Sequence, residues 1–190
     1  ELNTDLLTAD LKSFDTPTVI HWTRSTSRPW PDERLIEYYL DILNAERWPR
    51  SGLATLQRII DAGRIIGNSQ HMPRGVACVS FSALRPMDVI PLMKWRARYA
   101  RMTFEPYGVG IDLQHALRAG VQPVMYYDRE EQPQIPENEA WRWQSRGRIT
   151  DWTAEEEYRC RGNFSLRGLP EDAITLFCMT SEEAEQLQYV

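Results

Sequence analysis

The chain predicts an α+β fold, and three observations carry that expectation. Apolar runs of strand length and apolar stripes of helical spacing follow one another without a regular strand–helix–strand rhythm. Neither a GxGxxG fingerprint nor a Walker loop opens a helix. A length of 190 residues, 42% of them hydrophobic, suits one domain with a real core. Residues 1–17 stand apart as an N-terminal arm. Leu2, Leu6, Leu7 and Leu11 give it weak helical periodicity, and it ends at Pro17. Residues 18–190 form the domain.

The elements follow in order. Thr18-Val-Ile-His-Trp-Thr23 is a short β-rich run ending at polar residues, and Arg24 to Pro31 is a loop stiffened by two prolines. Asp32 opens a helix whose apolar face is Leu35, Ile36, Tyr39, Leu40, Ile42 and Leu43. A second helix begins near Ser51 and stops at Gly63, which takes the left-handed cap. Val76 to Phe81 is a central strand closed by Ser82, and Pro86 starts a helix to Met93. Gly108-Val-Gly-Ile-Asp112 is a strand whose glycines mark a close approach. A helix over 113–119 and a strand over 123–127 precede an acidic, proline-bearing loop at 128–140. Asp151 to Arg161 joins a helix start at Thr153 to a strand of alternating large and charged residues. A strand over 173–179 leads to a last helix capped by Thr180 or Ser181 and running through Gln188.

Composition narrows the function. A net charge of −5 argues against bulk attraction to nucleic acid or membranes. Of 22 basic residues only Lys12 and Lys94 are lysines, which leaves many planar arginine forks suited to phosphate and carboxylate. Genome coding bias is an equally good account of that preference. Cys78, Cys160 and Cys178 are scattered and odd in number, so buried thiols in a reducing compartment are expected rather than disulfides. With three distant histidines and no CxxC, no metal site is expected. No apolar run approaches the roughly 20 residues of a membrane span. The polar start lacks the pattern of a signal peptide, and a cytoplasmic location is expected.

Two basic-aromatic patches stand out. Lys94 to Arg101 holds Arg96, Arg98 and Arg101 with Trp95 and Tyr99; Trp141 to Arg148 holds Arg142, Arg146 and Arg148 with Trp143. Such arginines can grip phosphates while the rings stack on bases, so a nucleic-acid partner is one expectation. Pairing with surface glutamates is the other.

Six short motifs then share one order: His21-Trp-Thr23, Leu56-Gln-Arg-Ile-Ile-Asp-Ala-Gly63, Cys78-Val-Ser-Phe-Ser82, Tyr107-Gly-Val-Gly-Ile111, Pro123-Val-Met-Tyr126 and Glu157-Tyr-Arg159. Together they resemble the ADP-ribosyltransferase fold, and within it the bacterial AbiGi-like phage-defence families. The resemblance implies a mixed, mainly antiparallel, split sheet flanked by helices. It implies NAD as substrate, with Glu157 as the catalytic carboxylate and His21, Thr23, Ser80, Ser82 and Arg159 around the NAD. It also implies a nucleic-acid or protein acceptor, or water, and a possible cognate antitoxin or inhibitor. A fixed carboxylate beside the ribose would favour the oxocarbenium-like transition state of nicotinamide loss. The rival readings are a non-catalytic nucleotide- or partner-binding protein on the same fold and, last, a nuclease using Asp151, Glu155 and Glu157. The ordinary reading of Glu155, Glu156 and Glu157 is a solvated acidic face.

Overall fold

The computed structural model describes residues 13–44, 48, 50–70, 72–97, 101–128, 130–131, 133–146 and 153–187. Most of the expected N-terminal arm, His71, Arg98, Tyr99, Arg148, Asp151 and the end of the last helix at Gln188 lie outside the described residues.

Six strands form the main sheet: β1 (Thr18–Trp22), β3 (Cys78–Ser82), β6 (Gly108–Asp112), β7 (Gln122–Pro123), β10 (Glu157–Arg161) and β12 (Ile174–Phe177). Their order is β12-β6-β1-β3-β10-β7, with every neighbouring pair antiparallel. Three small pairs stand beside it. β2 (Arg64–Ile65) joins β11 (Phe164–Ser165), β4 (Trp95–Arg96) joins β5 (Arg101–Met102), and β8 (Met125–Tyr127) runs parallel to β9 (Trp143–Ser145). The helices are α1 (Leu35–Ile42), α2 (Gly52–Ala62), α3 (Pro86–Val89), α4 (Leu113–Arg118) and α5 (Ser181–Gln186). The fold is α+β with a mainly antiparallel sheet. None of the helices is long and apolar enough to cross a membrane among the described residues.

The core lies on one face of the sheet. Alternate residues of β1, β3, β6 and β10 put Val19, Val79, Phe81, Val109, Ile111 and Cys160 there, against Leu56, Ile59 and Ile60 of α2. Each such side chain contributes about 1.5–3 kcal/mol by leaving water. The Ser51 hydroxyl accepts the Ala54 amide at 3.1 Å to start α2, and Gly63 ends it at φ 60°. Cys78 and Cys160 are buried thiols, as expected, whereas Cys178 follows β12 and is half-buried.

Several elements differ from expectation for physical reasons. The helix from Pro86 ends at Val89 and tightens into a 3-10 turn over Ile90–Leu92, because Pro91 has no amide to donate. The strand over 123–127 divides at Val124. Its first part pairs with β10 and its second with β9. The loop over 128–140 gains a 3-10 helix at Glu137–Arg142. The helix start at Thr153 reaches only Glu155 before the backbone of Glu156 turns left-handed.

In β6 the close approach that its glycines signalled is made by the protein itself. A β-carbon on Gly110 would stand 2.8 Å from Thr18 and 2.9 Å from Phe177, and one on Gly108 would meet the His21 carbonyl and the Trp22 ring at 3.0 Å. Gly110→Ala therefore lowers the unfolding free energy by about 1–3 kcal/mol, measurable by urea denaturation.

Candidate functional site

β10 and β3 pair so that Glu157 faces Ser82 and Arg159 faces Ser80. Directly opposed residues of an antiparallel pair share a face, so these four polar side chains form a patch on the side away from the core. Within it, Arg159 Nε and Nη2 donate to Glu157 Oε1 and Oε2 at 2.8 and 2.9 Å. The Ser80 hydroxyl donates to Glu157 Oε1 at 2.8 Å, and the Tyr126 hydroxyl reaches Oε2 at 3.4 Å. Arg159 also donates to the Trp141 carbonyl at 3.1 Å and to Gln144 Oε1. The Glu157 side chain is 13% exposed and that of Arg159 is 3%.

The registered pairing of β1 with β3 is the single pair Ile20–Ser82. Beyond that pair, the His21 ring packs edge-on against Phe81 at 6.0 Å between centroids, and its Nδ1 lies 2.8 Å from the Ser80 carbonyl. A carbonyl only accepts, so Nδ1 carries the proton. Desolvation, opposed by that bond and aided by the charge of Arg24, holds the imidazole below its ordinary pKa. The ring is neutral at pH 7, and Nε2 presents a lone pair that can accept.

His21, Ser80, Ser82, Glu155 and Glu157 line one cleft of about 800 Å³, together with Arg24, Trp30, Trp95, Arg101 and Phe104. That volume is within the range of small-molecule sites. Three distant stretches of sequence thus converge on one cavity. Thr23 lines the cleft too, whereas Arg159 does not, and the polar groups of Thr23, Ser82 and Arg159 are all engaged within the protein. Thr23 is buried and donates to the Gly52 carbonyl at 2.8 Å, tying the end of β1 to α2. Ser82 donates to the Glu155 carbonyl at 2.7 Å. The expected ligand contacts of these three are replaced by bonds that hold the cleft's own walls.

Two residues gain importance that their sequence setting did not give them. Glu155 sits on the 3-10 turn before β10, and no hydrogen bond engages its carboxyl among the described residues. Burial first, and the charge of Glu157 second, push it up to about 7, against the pull of Arg96, Arg24 and Lys94. Glu156 has φ 45°, a left-handed backbone costing roughly 1–2 kcal/mol in a residue with a β-carbon. Its carbonyl accepts from Ala83 at 3.0 Å. Glu155 on the 3-10 turn and Glu157 on β10 flank this residue and line the same cavity. Strain of this kind gathers at functional sites. The second residue is Arg24, drawn down to about 10 by desolvation and the neighbouring Arg101.

The two basic patches separate in character. Arg96 and Arg101 face each other across β4 and β5, with Trp95 beside them 60% exposed. Arg142 pairs with Glu139 at 2.8 Å and Arg146 with Asp128 at 3.1 Å, so the second patch is paired with its own acids. No group of three or more His, Cys, Asp or Glu suited to a metal occurs among the described residues.

The Glu157–Arg159 pair makes a stability test. Arg159→Met strands a buried carboxylate and costs about 3–5 kcal/mol, whereas adding Glu157→Leu restores most of it; denaturant melts of the single and double variants measure the difference. Glu155 supplies a second. Between its ordinary value of 4.5 and about 7 the folded chain holds a proton that the unfolded chain has released, so stability falls as pH rises through that window. Glu155→Gln is therefore more stable than the parent by about 1–3 kcal/mol at about pH 8, and no more stable at about pH 4. Equal melting differences at both pH values would contradict it. Compared with family models, curated proteins and solved structures, the chain matches none of them.

Proposed function

We propose that this cleft binds NAD and breaks the bond between nicotinamide and ribose, passing ADP-ribose to a nucleic-acid or protein acceptor or to water. The setting that the resemblance implies is bacterial phage defence or a toxin–antitoxin pair. The observation that carries the reading is the pairing of two unlike glutamates in one cleft. Glu157 is a carboxylate fixed by a guanidinium fork, and Glu155 can gain or lose a proton near neutral pH.

The role expected of one residue is then divided between two. Glu157 supplies steady negative charge at the cleft floor, favouring the cation that forms as nicotinamide leaves with the bonding electron pair. Its reach is limited, since the Arg159, Ser80 and Tyr126 contacts occupy the four acceptor positions of the carboxylate. Glu155, ionised, takes the proton from the acceptor as its oxygen or nitrogen bonds to the ribose carbon. His21 Nε2 accepts a ribose hydroxyl. The saturation of Glu157 also favours a second reading, in which the cleft holds the nucleotide without turnover.

Calorimetry with NAD and chromatographic assay of nicotinamide release separate the two. The enzyme reading expects NAD binding, nicotinamide release and a kcat/KM that rises with pH with a midpoint near 7. Glu155→Gln should lower turnover by about 10²–10⁴-fold and erase that limb while binding changes little. NAD binding with no release from the parent chain supports the binding reading instead. No NAD binding removes both.

A further inference from the structure

Helix α1 has no buried residue. Leu35, Ile36, Tyr39, Leu40, Ile42 and Leu43 along it and its C-cap are 37–82% exposed, the largest run of exposed apolar side chains among the described residues. The helix is nevertheless firmly held from behind. Its inward Asp41 meets Arg50 at 2.8 Å, and Arg50 also forks onto Glu33. The Arg50 guanidinium is stacked 3.8 Å over Trp30, and the Tyr38 hydroxyl donates to the Ser27 carbonyl at 3.0 Å. So the outward direction of the apolar face is set by polar bonds made from the rest of the helix.

The pattern on that face reads nearly the same in both directions. About Tyr39, Leu35 answers Leu43, Ile36 answers Ile42, and Glu37 answers Asp41. At about 100° per residue, positions 35, 36, 42 and 43 fall within about 60° of Tyr39, while 37 and 41 fall on the far side. A face that is its own reverse is what a two-fold antiparallel helix pair requires, because each contact must occur twice. Charge agrees with this. Reversal sets Arg34, exposed and paired with Glu37 of its own helix, beside the C-terminal end of the other, where carbonyls favour a cation.

Area agrees as well. At roughly 200 Å² for a whole side chain of this size, these six expose on the order of 600 Å², the upper end for a monomer's largest patch. Two copies face to face would bury about 1,200 Å² from this stripe alone, which reaches the size of a specific interface.

We infer that the chain forms a homodimer through α1, with the two helices antiparallel and Tyr39 at the two-fold axis. The test is sedimentation of the full chain over the micromolar range, with Leu35→Glu/Leu43→Glu as the disrupting variant and circular dichroism to show that it folds. The parent should sediment as a dimer, and the variant as a monomer with an unchanged spectrum. Geometry is read by a short thiol-reactive cross-linker. Tyr39→Cys should link to itself. Leu35→Cys mixed with Leu43→Cys should link in the mixture, and neither should link alone, against a parent control carrying only the native cysteines. A parent that is monomeric throughout, or a charged variant that stays dimeric, overturns the inference. Leu35→Cys linking to itself as well as Tyr39→Cys overturns the antiparallel arrangement.

Discussion

The guanidinium fork between Arg159 and Glu157 is the constraint on which the cleft depends. Two residues apart on one strand, they share a face by the pleat alone. Removed from water, neither charge is tolerable without the other. Because Arg159 also bonds the Trp141 carbonyl and Gln144, the fork ties β10 to the segment that carries β9. Because Ser80 donates to Glu157, it ties β10 to β3, and through the Ser80 carbonyl to the His21 ring of β1. Four segments distant in sequence are thereby held about one carboxylate.

The opposite wall has its own lock. Glu105 accepts from the Ser25 amide at 2.7 Å and from the Gly52 amide at 3.1 Å, so one carboxylate steadies both the loop after β1 and the first turn of α2. Arg50, 1% exposed, does the same between that loop and α1 through Glu33, Asp41 and the Trp30 ring. Proline stiffening of the loop over Arg24 to Pro31 was visible in the residues. The acids and the arginine that fix it were not, because their partners lie 9 to 80 positions away.

What was legible follows the same division. Strands β1, β3, β6 and β10 were readable because runs of strand length, rich in β-formers or alternating large and charged residues, survive in a single sequence. The meeting of His21, Ser80 and Glu157 was readable from ordered motifs. Which atoms were already committed was not. Thr23, Ser82 and Arg159 look like ligand groups until their backbone and side-chain partners are known. Glu155 and Glu157 look alike in an acidic run, and only the structure separates Glu155, pushed up to about 7 by burial, from Glu157, held by a guanidinium fork. The apolar residues over 86–93 suggest one continuous helix, but Pro91 has no amide with which to continue it.

The charges that line the cleft differ in exposure. Glu157 and half-buried Glu155 lie at one part of it, while Arg28 and Arg64 line it as exposed residues. Dissolved ions reach the outer guanidiniums and screen them over about 8–10 Å, whereas the sheltered carboxylates are screened far less. Ionic strength is then a dial on arrival alone: raising it slows capture of a negatively charged visitor and leaves the local field of the sheltered carboxylates nearly as it was.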